Sequence, residues 1–218
     1  MIIDLTHTIT PELAAYPGDQ APSLVPSATL ARNGFRTTLL TLTSHTGTHI
    51  DAPSHVLRDG SDLDDLPISQ FSGRASALDV SGVGPVITAD FLRAQNGLIR
   101  TADFVLFYTG WEKKWGTPAF FEDGFPVLDE AAARYLVSCG LKGVGTDSFS
   151  VDALSSPDMP AHRILLSDGM VIVECLRIRN VVGRKDFHFT ALPLKYKNAD
   201  GAPVRAIAEL GEQAEKEM

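Results

Sequence analysis

The chain is 218 residues long, enough to bury a sizeable apolar core without staples, and its 44% apolar and 21% charged residues are those of a globular protein. No apolar run approaches the ~18 residues of a membrane span, and a net charge of −8 argues against nucleic acid or an anionic membrane surface as partner, since both select basic patches. That length makes a single domain over 1–218 the expectation, and because the start, Met1-Ile2-Ile3-Asp4-Leu5, lacks the basic residues, apolar stretch and cleavage site of a secretory signal, a cytoplasmic location is expected.

Along the chain the pattern is mixed α/β. Residues 2–9 and 35–44 are rich in Ile, Leu and Thr and read as strands; in the second, Phe35, Thr37, Leu39, Thr41 and Thr43 alternate onto one side. Further strands are expected at 75–80, 104–108, 143–146, 171–176 and 187–194. Thr88 can cap a helix over 89–95 that stops at Asn96-Gly97, and Asp129 a second over 130–139 that stops at Gly140. Within the second, Ala132, Tyr135, Leu136 and Cys139 recur at helical spacing, which gives Cys139 a packing role. Cys139 and Cys175 are the only cysteines, neither sits at metal-ligand spacing, and both are expected to be reduced core residues. Residues 110–125 carry Trp111, Trp115, Phe120 and Phe121 without a clean period and read as a long loop able to lie over a site.

The densest chemistry is in His45-Thr46-Gly47-Thr48-His49-Ile50-Asp51-Ala52-Pro53-Ser54-His55. A helix would put His45 and His49 on one face, but Thr46, Gly47 and Thr48 are poor helix formers, Pro53 follows closely and no Glu adjoins His45. The segment is expected instead to turn at Gly47 and then run extended, which places His49 and Asp51 side by side and folds His45 back towards them. Imidazole and carboxylate without thiolate suit Zn²⁺, Mn²⁺ or Fe²⁺ and disfavour a purely structural zinc cage. His55, beyond Pro53, falls outside that ligand set; with an ordinary pKa of ~6.5 it suits a general acid or base. Four unrelated, solvated side chains are the plain alternative, which the clustering of three histidines and an aspartate argues against.

Glu174 interrupts the apolar run Val171-Ile172-Val173-Glu174-Cys175-Leu176. In a buried strand that carboxylate must be protonated, paired or metal-bound; on an edge strand it would simply face water. His162, ahead of a short apolar segment, carries no such signal by itself, and His7 and His188 read as structural.

The pattern His-x-Gly-Thr-His-x-Asp-x-Pro-x-His at 45–55 resembles the signature of the cyclase-like metal-dependent hydrolases, a family that includes bacterial kynurenine formamidase and isatin hydrolase. The resemblance extends along nearly the whole chain, through Asp4-Leu5-Thr6-His7, Tyr16-Pro17-Gly18-Asp19, Gly145-Thr146-Asp147-Ser148, Ala191-Leu192-Pro193-Leu194 and Pro203-Val204-Arg205-Ala206. It implies an α/β fold of the swivelling β/β/α type with a mixed central sheet, assembled as a homodimer or higher homo-oligomer. It further implies one or two divalent ions per subunit, zinc or manganese. His45, His49 and Asp51 would bind the first, with Asp51 bridging to a second held by His162 and Glu174, and His55 takes the position of the catalytic proton carrier. The implied activity is hydrolysis of a small, planar or aromatic amide, foremost the arylformamidase reaction from N-formylkynurenine to kynurenine and formate. A cyclic amide or lactone hydrolase of the isatin-hydrolase type is the alternative, and a non-catalytic metal- or ligand-binding protein the alternative from another class. Two residues depart from the pattern. Tyr16 stands where the formamidases carry a substrate-contacting Trp, keeping a ring able to stack, and Cys175 stands where they usually have Gly.

Overall fold

The computed structural model describes residues 1–211. Twelve strands follow one another: β1 (Ile2–Asp4), β2 (Ser23–Ala28), β3 (Thr37–Thr41), β4 (His49–Asp51), β5 (Ser72–Asp79), β6 (Val86–Ile87), β7 (Phe104–Tyr108), β8 (Val127–Leu128), β9 (Gly143–Thr146), β10 (Val171–Glu174), β11 (Phe187–Pro193) and β12 (Gly201–Glu209). Five short helices are interleaved: α1 (Leu30–Asn33), α2 (Ala89–Ala94), α3 (Asn96–Ile99), α4 (Glu130–Val137) and α5 (Pro160–Ser167). Among the described residues no helix is long and apolar enough to cross a membrane.

Seven strands close into a mixed barrel in the order β12-β11-β5-β7-β9-β10-β4, with β4 pairing back onto β12. The nine residues of β12 make closure possible, because Gly201–Pro203 pair with β4 while Ile207–Glu209 pair with β1. Strands β5, β7, β9 and β10 run parallel, and their connections carry α2 and α3, then α4, then α5. Parallel strands flanked by helices are buried on both faces, and all five residues of β7 are buried. Phe104 and Leu106 pack inside the ring with Ile50, Phe189 and Ala206, whereas Val105 and Phe107 pack outside it against Leu92, Leu136 and Leu165 of the helices.

The parallel strands stand close to where the sequence puts them, with 104–108 and 143–146 coinciding with β7 and β9. Both helix caps also form: Thr88 Oγ1 accepts from Phe91 N at 3.3 Å and Asp129 Oδ1 from Ala132 N at 2.6 Å. Other expectations need correction. The strand expected at 2–9 ends at Asp4, and Asn96-Gly97, read as a stop, opens α3. The stretch 35–44 shrinks to β3, which leaves the barrel and pairs only with β2; all five of its residues are exposed, so its alternation marks no core face. Strand β12 and helix α5 have no counterpart in the sequence reading. Ala202, Val204, Ala206 and Ala208 do alternate inward along β12, but alanine has weak strand propensity and Pro203 reads as a breaker.

Candidate metal centre

Strands β4 and β10 are antiparallel neighbours, with Glu174 opposite His49 and Ile172 opposite Asp51. Period-two alternation sends Ile50, Val171 and Val173 into the barrel, which leaves His49, Asp51 and Glu174 together on its outer face. Glu174 is therefore buried beside two other polar groups, and the solvent-facing alternative for it does not apply. His45 returns through a turn at Gly47, whose φ of 74° is the left-handed region that glycine enters without a Cβ penalty. His162 reaches the same place from the first turn of α5 and is buried.

These five side chains form two overlapping groups, His45 with His49 and Asp51, and Asp51 with His162 and Glu174; within each, one ligand atom per residue lies within 4.8 Å of the others. His49 Nε2 lies 3.4 Å from Asp51 Oδ1 and 3.5 Å from Glu174 Oε2. His162 Nε2 lies 3.3 Å from Glu174 Oε1 and 3.7 Å from Asp51 Oδ2. Asp51 Oδ2 and Glu174 Oε1 are buried without a hydrogen-bond partner. Each histidine is held by its far nitrogen: Nδ1 of His49 donates to the carbonyl of Gly47 at 2.8 Å, and Nδ1 of His162 to Asp152 Oδ2 at 2.7 Å. Imidazoles tied down on one side and turned by the other to a pair of buried carboxylates, with both partnerless oxygens facing His162, are the donor set that divalent cations take. The residues present fit such an ion.

The electrostatics agree. Burial opposes charge on His45 and His162, but the His45 ring donates to Asp200 and Asp51, the His162 ring donates to Asp152 and lies against the negative charge of Glu174 and Asp51, and these influences outweigh burial and lift both pKa values to about 10. Burial likewise favours a protonated Asp51, yet the hydrogen bond and charge of His45 hold its carboxyl well below the usual range. Protons on the rings thus supply the positive charge that the carboxylates demand, and a bound cation would take over that part. His55 differs from both: burial is the largest influence on it, and its pKa is lowered. Its ring lies tilted, 4.1 Å from that of His45 and 6.2 Å from that of His162, beside the two groups.

A cavity of about 420 Å³ opens onto this cluster, with His45, His49, His55, His162 and Glu174 on its floor. Tyr16, Trp115, Phe121 and Phe149 line its walls. Tyr16 is at the rim, 43% exposed, its ring 6.1 Å from those of Phe121 and Phe149. The stretch 110–125 does lie over the site, though as two tight 3₁₀ turns, Trp111–Lys114 and Pro118–Phe121, packed into an aromatic cluster. His7, outside any strand, stacks on Trp115 at 4.0 Å, and His188 is exposed and paired with Ser72. Both cysteines are free, Cys175 buried and Cys139 half-buried. Cys175 has a φ of 55°, which accounts physically for a preference for Gly there, since a left-handed residue with a Cβ costs roughly 1–2 kcal/mol.

Sequence reasoning missed two carboxylates at this site. Asp152 holds His162, and Asp200 Oδ2 lies 3.1 Å from His45 Nε2. The turn sequence Asn198-Ala199-Asp200-Gly201 marked a place where the chain bends and said nothing of a histidine 155 residues away.

The family model described as "Putative cyclase" matches residues 3–153. The chain belongs to this cyclase family. A kynurenine formamidase from Salinibacter ruber is 36% identical over 212 residues, covering 94% of this chain and 96% of that protein. Among solved structures, isatin hydrolase A from Labrenzia aggregata, bound to benzyl benzoate, is 26% identical with a TM-score of 0.83 over 95% of this chain and 93% of that one. A protein from Bacillus stearothermophilus named a "predicted metal-dependent hydrolase" is 28% identical with a TM-score of 0.73, over 95% and 97%. The swivelling α/β architecture of the family, with its mixed central sheet, is the one seen here.

Proposed function

We propose that this family member is a metal-dependent amidohydrolase that cleaves the C–N bond of a small arylformamide, N-formylkynurenine being the leading substrate. The observation that carries the reading is the pair of buried, partnerless carboxylate oxygens, Asp51 Oδ2 and Glu174 Oε1, both faced by the tethered imidazole of His162 at the floor of an aromatic-walled cavity. The likeness to kynurenine formamidase over 94% of the chain supports the substrate class. His45, His49 and Asp51 would hold one divalent ion, zinc or manganese, and Asp51, His162 and Glu174 a second. Bound there, such an ion supplies Lewis acidity, which acidifies water and polarises a carbonyl.

The protein's own contribution is placement and proton transfer. His55, kept neutral by burial and lying beside the ligand groups, accepts a proton at an imidazole nitrogen and returns it to the departing arylamine nitrogen. Tyr16, Phe121 and Phe149 present ring edges and faces to a planar substrate and keep bulk water from the floor. A homodimer belongs to the same reading: Val25, Leu39 and Leu40 on the β2–β3 ribbon are more than half exposed, as apolar residues are at an interface between copies.

The test is turnover of N-formylkynurenine, followed by formate release, on protein whose metal content has been measured. His55→Ala should lose at least 100-fold in kcat while retaining the wild-type metal content. Loss of metal in that variant would contradict the proton-carrier role, and absence of turnover by metal-replete wild type would contradict the arylformamidase reading. Isatin in the same assay tests the cyclic-amide alternative, which the likeness to isatin hydrolase A favours.

A further inference from the structure

Asp200 is the last residue of the loop between β11 and β12. The loop is pinned along its length. Ala199 N donates to Asp64 Oδ1 at 3.2 Å, Leu63 N to Ala199 O at 2.9 Å, and Ala52 N to Asp200 O at 2.9 Å. The Tyr196 hydroxyl closes the end by donating to the carbonyl of Gly201. Asp200 Oδ2 then accepts from Ser44 Oγ at 3.2 Å and from His45 Nε2 at 3.1 Å.

Gly201 supplies a second, independent sign that the loop is shaped around His45. It pairs with Asp51 across β12 and β4. A Cβ at 201 would stand 2.5 Å from His45 Cε1 and 2.8 Å from Nε2, closer than packed atoms approach. The imidazole thus lies on a glycine floor, with the Asp200 carboxylate at one edge and Asp51 at the other, 2.8 Å from Nδ1.

We infer that Asp200 is the positioning residue for His45: it holds Nε2–H as a donor, so that Nδ1 is the nitrogen turned towards Asp51 and the first ion. The inference rests on the metal-centre reading and goes beyond it by assigning a residue and a tautomer. An imidazole can present only one lone pair, and fixing the proton on the far nitrogen aims that lone pair inward and makes it a better donor. His162 on Asp152 and His49 on the Gly47 carbonyl are held in the same way, each by Nδ1. Of these three ligand histidines, only His45 is held by Nε2.

The experiment loads wild type, Asp200→Ala, Asp200→Asn and Gly201→Ala with Zn²⁺ or Co²⁺ by equilibrium dialysis, reading bound metal, the Co²⁺ ligand-field spectrum and melting without metal. Asp200→Ala should bind the ion of the His45, His49 and Asp51 group 10–100-fold less tightly and shift the Co²⁺ spectrum, with little change in metal-free melting, because the backbone bonds of the loop remain. Asp200→Asn keeps an oxygen acceptor for Nε2–H and should recover part of the affinity, whereas Gly201→Ala, which displaces the ring, should mimic the loss. Wild-type affinity and spectrum in Asp200→Ala, or an Asn variant no better than Ala, would overturn the assignment alone. A wild type that takes up neither ion would overturn the metal centre itself and the assignment with it.

Discussion

Replacing Asp152 by Ala should damage fold and site together. Its carboxylate is buried and accepts three hydrogen bonds at the start of α5: Ala161 N at 3.0 Å on Oδ1, and His162 N at 2.9 Å and His162 Nδ1 at 2.7 Å on Oδ2. Truncation strands three buried donors, each costing roughly 1–3 kcal/mol when left unpaired. Water entering the space left behind will recover part, so a loss of about 3–5 kcal/mol is expected. Asp152→Asn has the same shape but an amide NH2 in place of one oxygen, so at least one donor faces another donor and about 1–3 kcal/mol should go. Urea unfolding of chelator-treated protein measures these losses free of metal. Dialysis against Zn²⁺ then measures the second effect: with His162 released from its tether, the ion shared by Asp51, His162 and Glu174 should bind 10–100-fold more weakly. An Asp152→Ala variant within about 1 kcal/mol of wild type would refute the hydrogen-bond accounting. One that loses stability but binds metal normally would reduce Asp152 to a helix cap.

Burial, with the charge of Arg177 adding to it, lowers the His7 pKa from 6.5 to about 4, so the folded ring stays neutral while the unfolded one protonates below 6.5. Stability is therefore fully present above pH 6.5 and falls as pH drops towards 4, by about 2 kcal/mol for a partly solvated ring. His7→Phe keeps a ring against Trp115, and urea midpoints at pH 7 and 4.5 should differ less in it than in wild type; equal differences would contradict the assignment. Chelation should lower the melting temperature of as-purified protein, since an ion at 100 times its Kd stabilises by about 2.7 kcal/mol. Adding Zn²⁺ or Mn²⁺ back should restore it, and identical melting with and without chelator would count against a metal centre.

How much of this could be read from the sequence depended on whether each segment's packing matched its composition. Phe104–Tyr108 is apolar throughout because it is buried on both faces, and its limits were readable to the residue. The strand that closes the barrel was not. Along β12 the inward positions are alanines and one valine, with Ala208 directly opposite Phe189, so the strand lacks the bulky, branched side chains by which strands are recognised. The ribbon at β2 and β3 fails in the opposite direction: Leu39 and Leu40 suggest a core where the monomer has none.

The metal centre divides along the same physical line. His49 and Asp51 are two apart on one strand, so local geometry alone places them on one face, and the turn at Gly47 brings back His45. Glu174 announced itself by cost, a carboxylate within a buried run. The groups that hold the histidines in place leave no such trace. Asp152 and Asp200 each sit in a loop, where an aspartate is ordinary, and each meets its histidine only because the barrel closes: β12 must pair with β4 before Asp200 can reach His45, and α5 must cover β10 before His162 can reach Glu174. Ligands can be encoded by short spacing because the ion needs their atoms within a few ångströms of one another, whereas the residues that orient them need only touch one ring nitrogen each and can come from anywhere that the topology allows. Closure of the barrel by a strand of small residues is thus also the step that assembles the site, and variants that weaken the β4–β12 pairing should lose metal before they lose the rest of the fold.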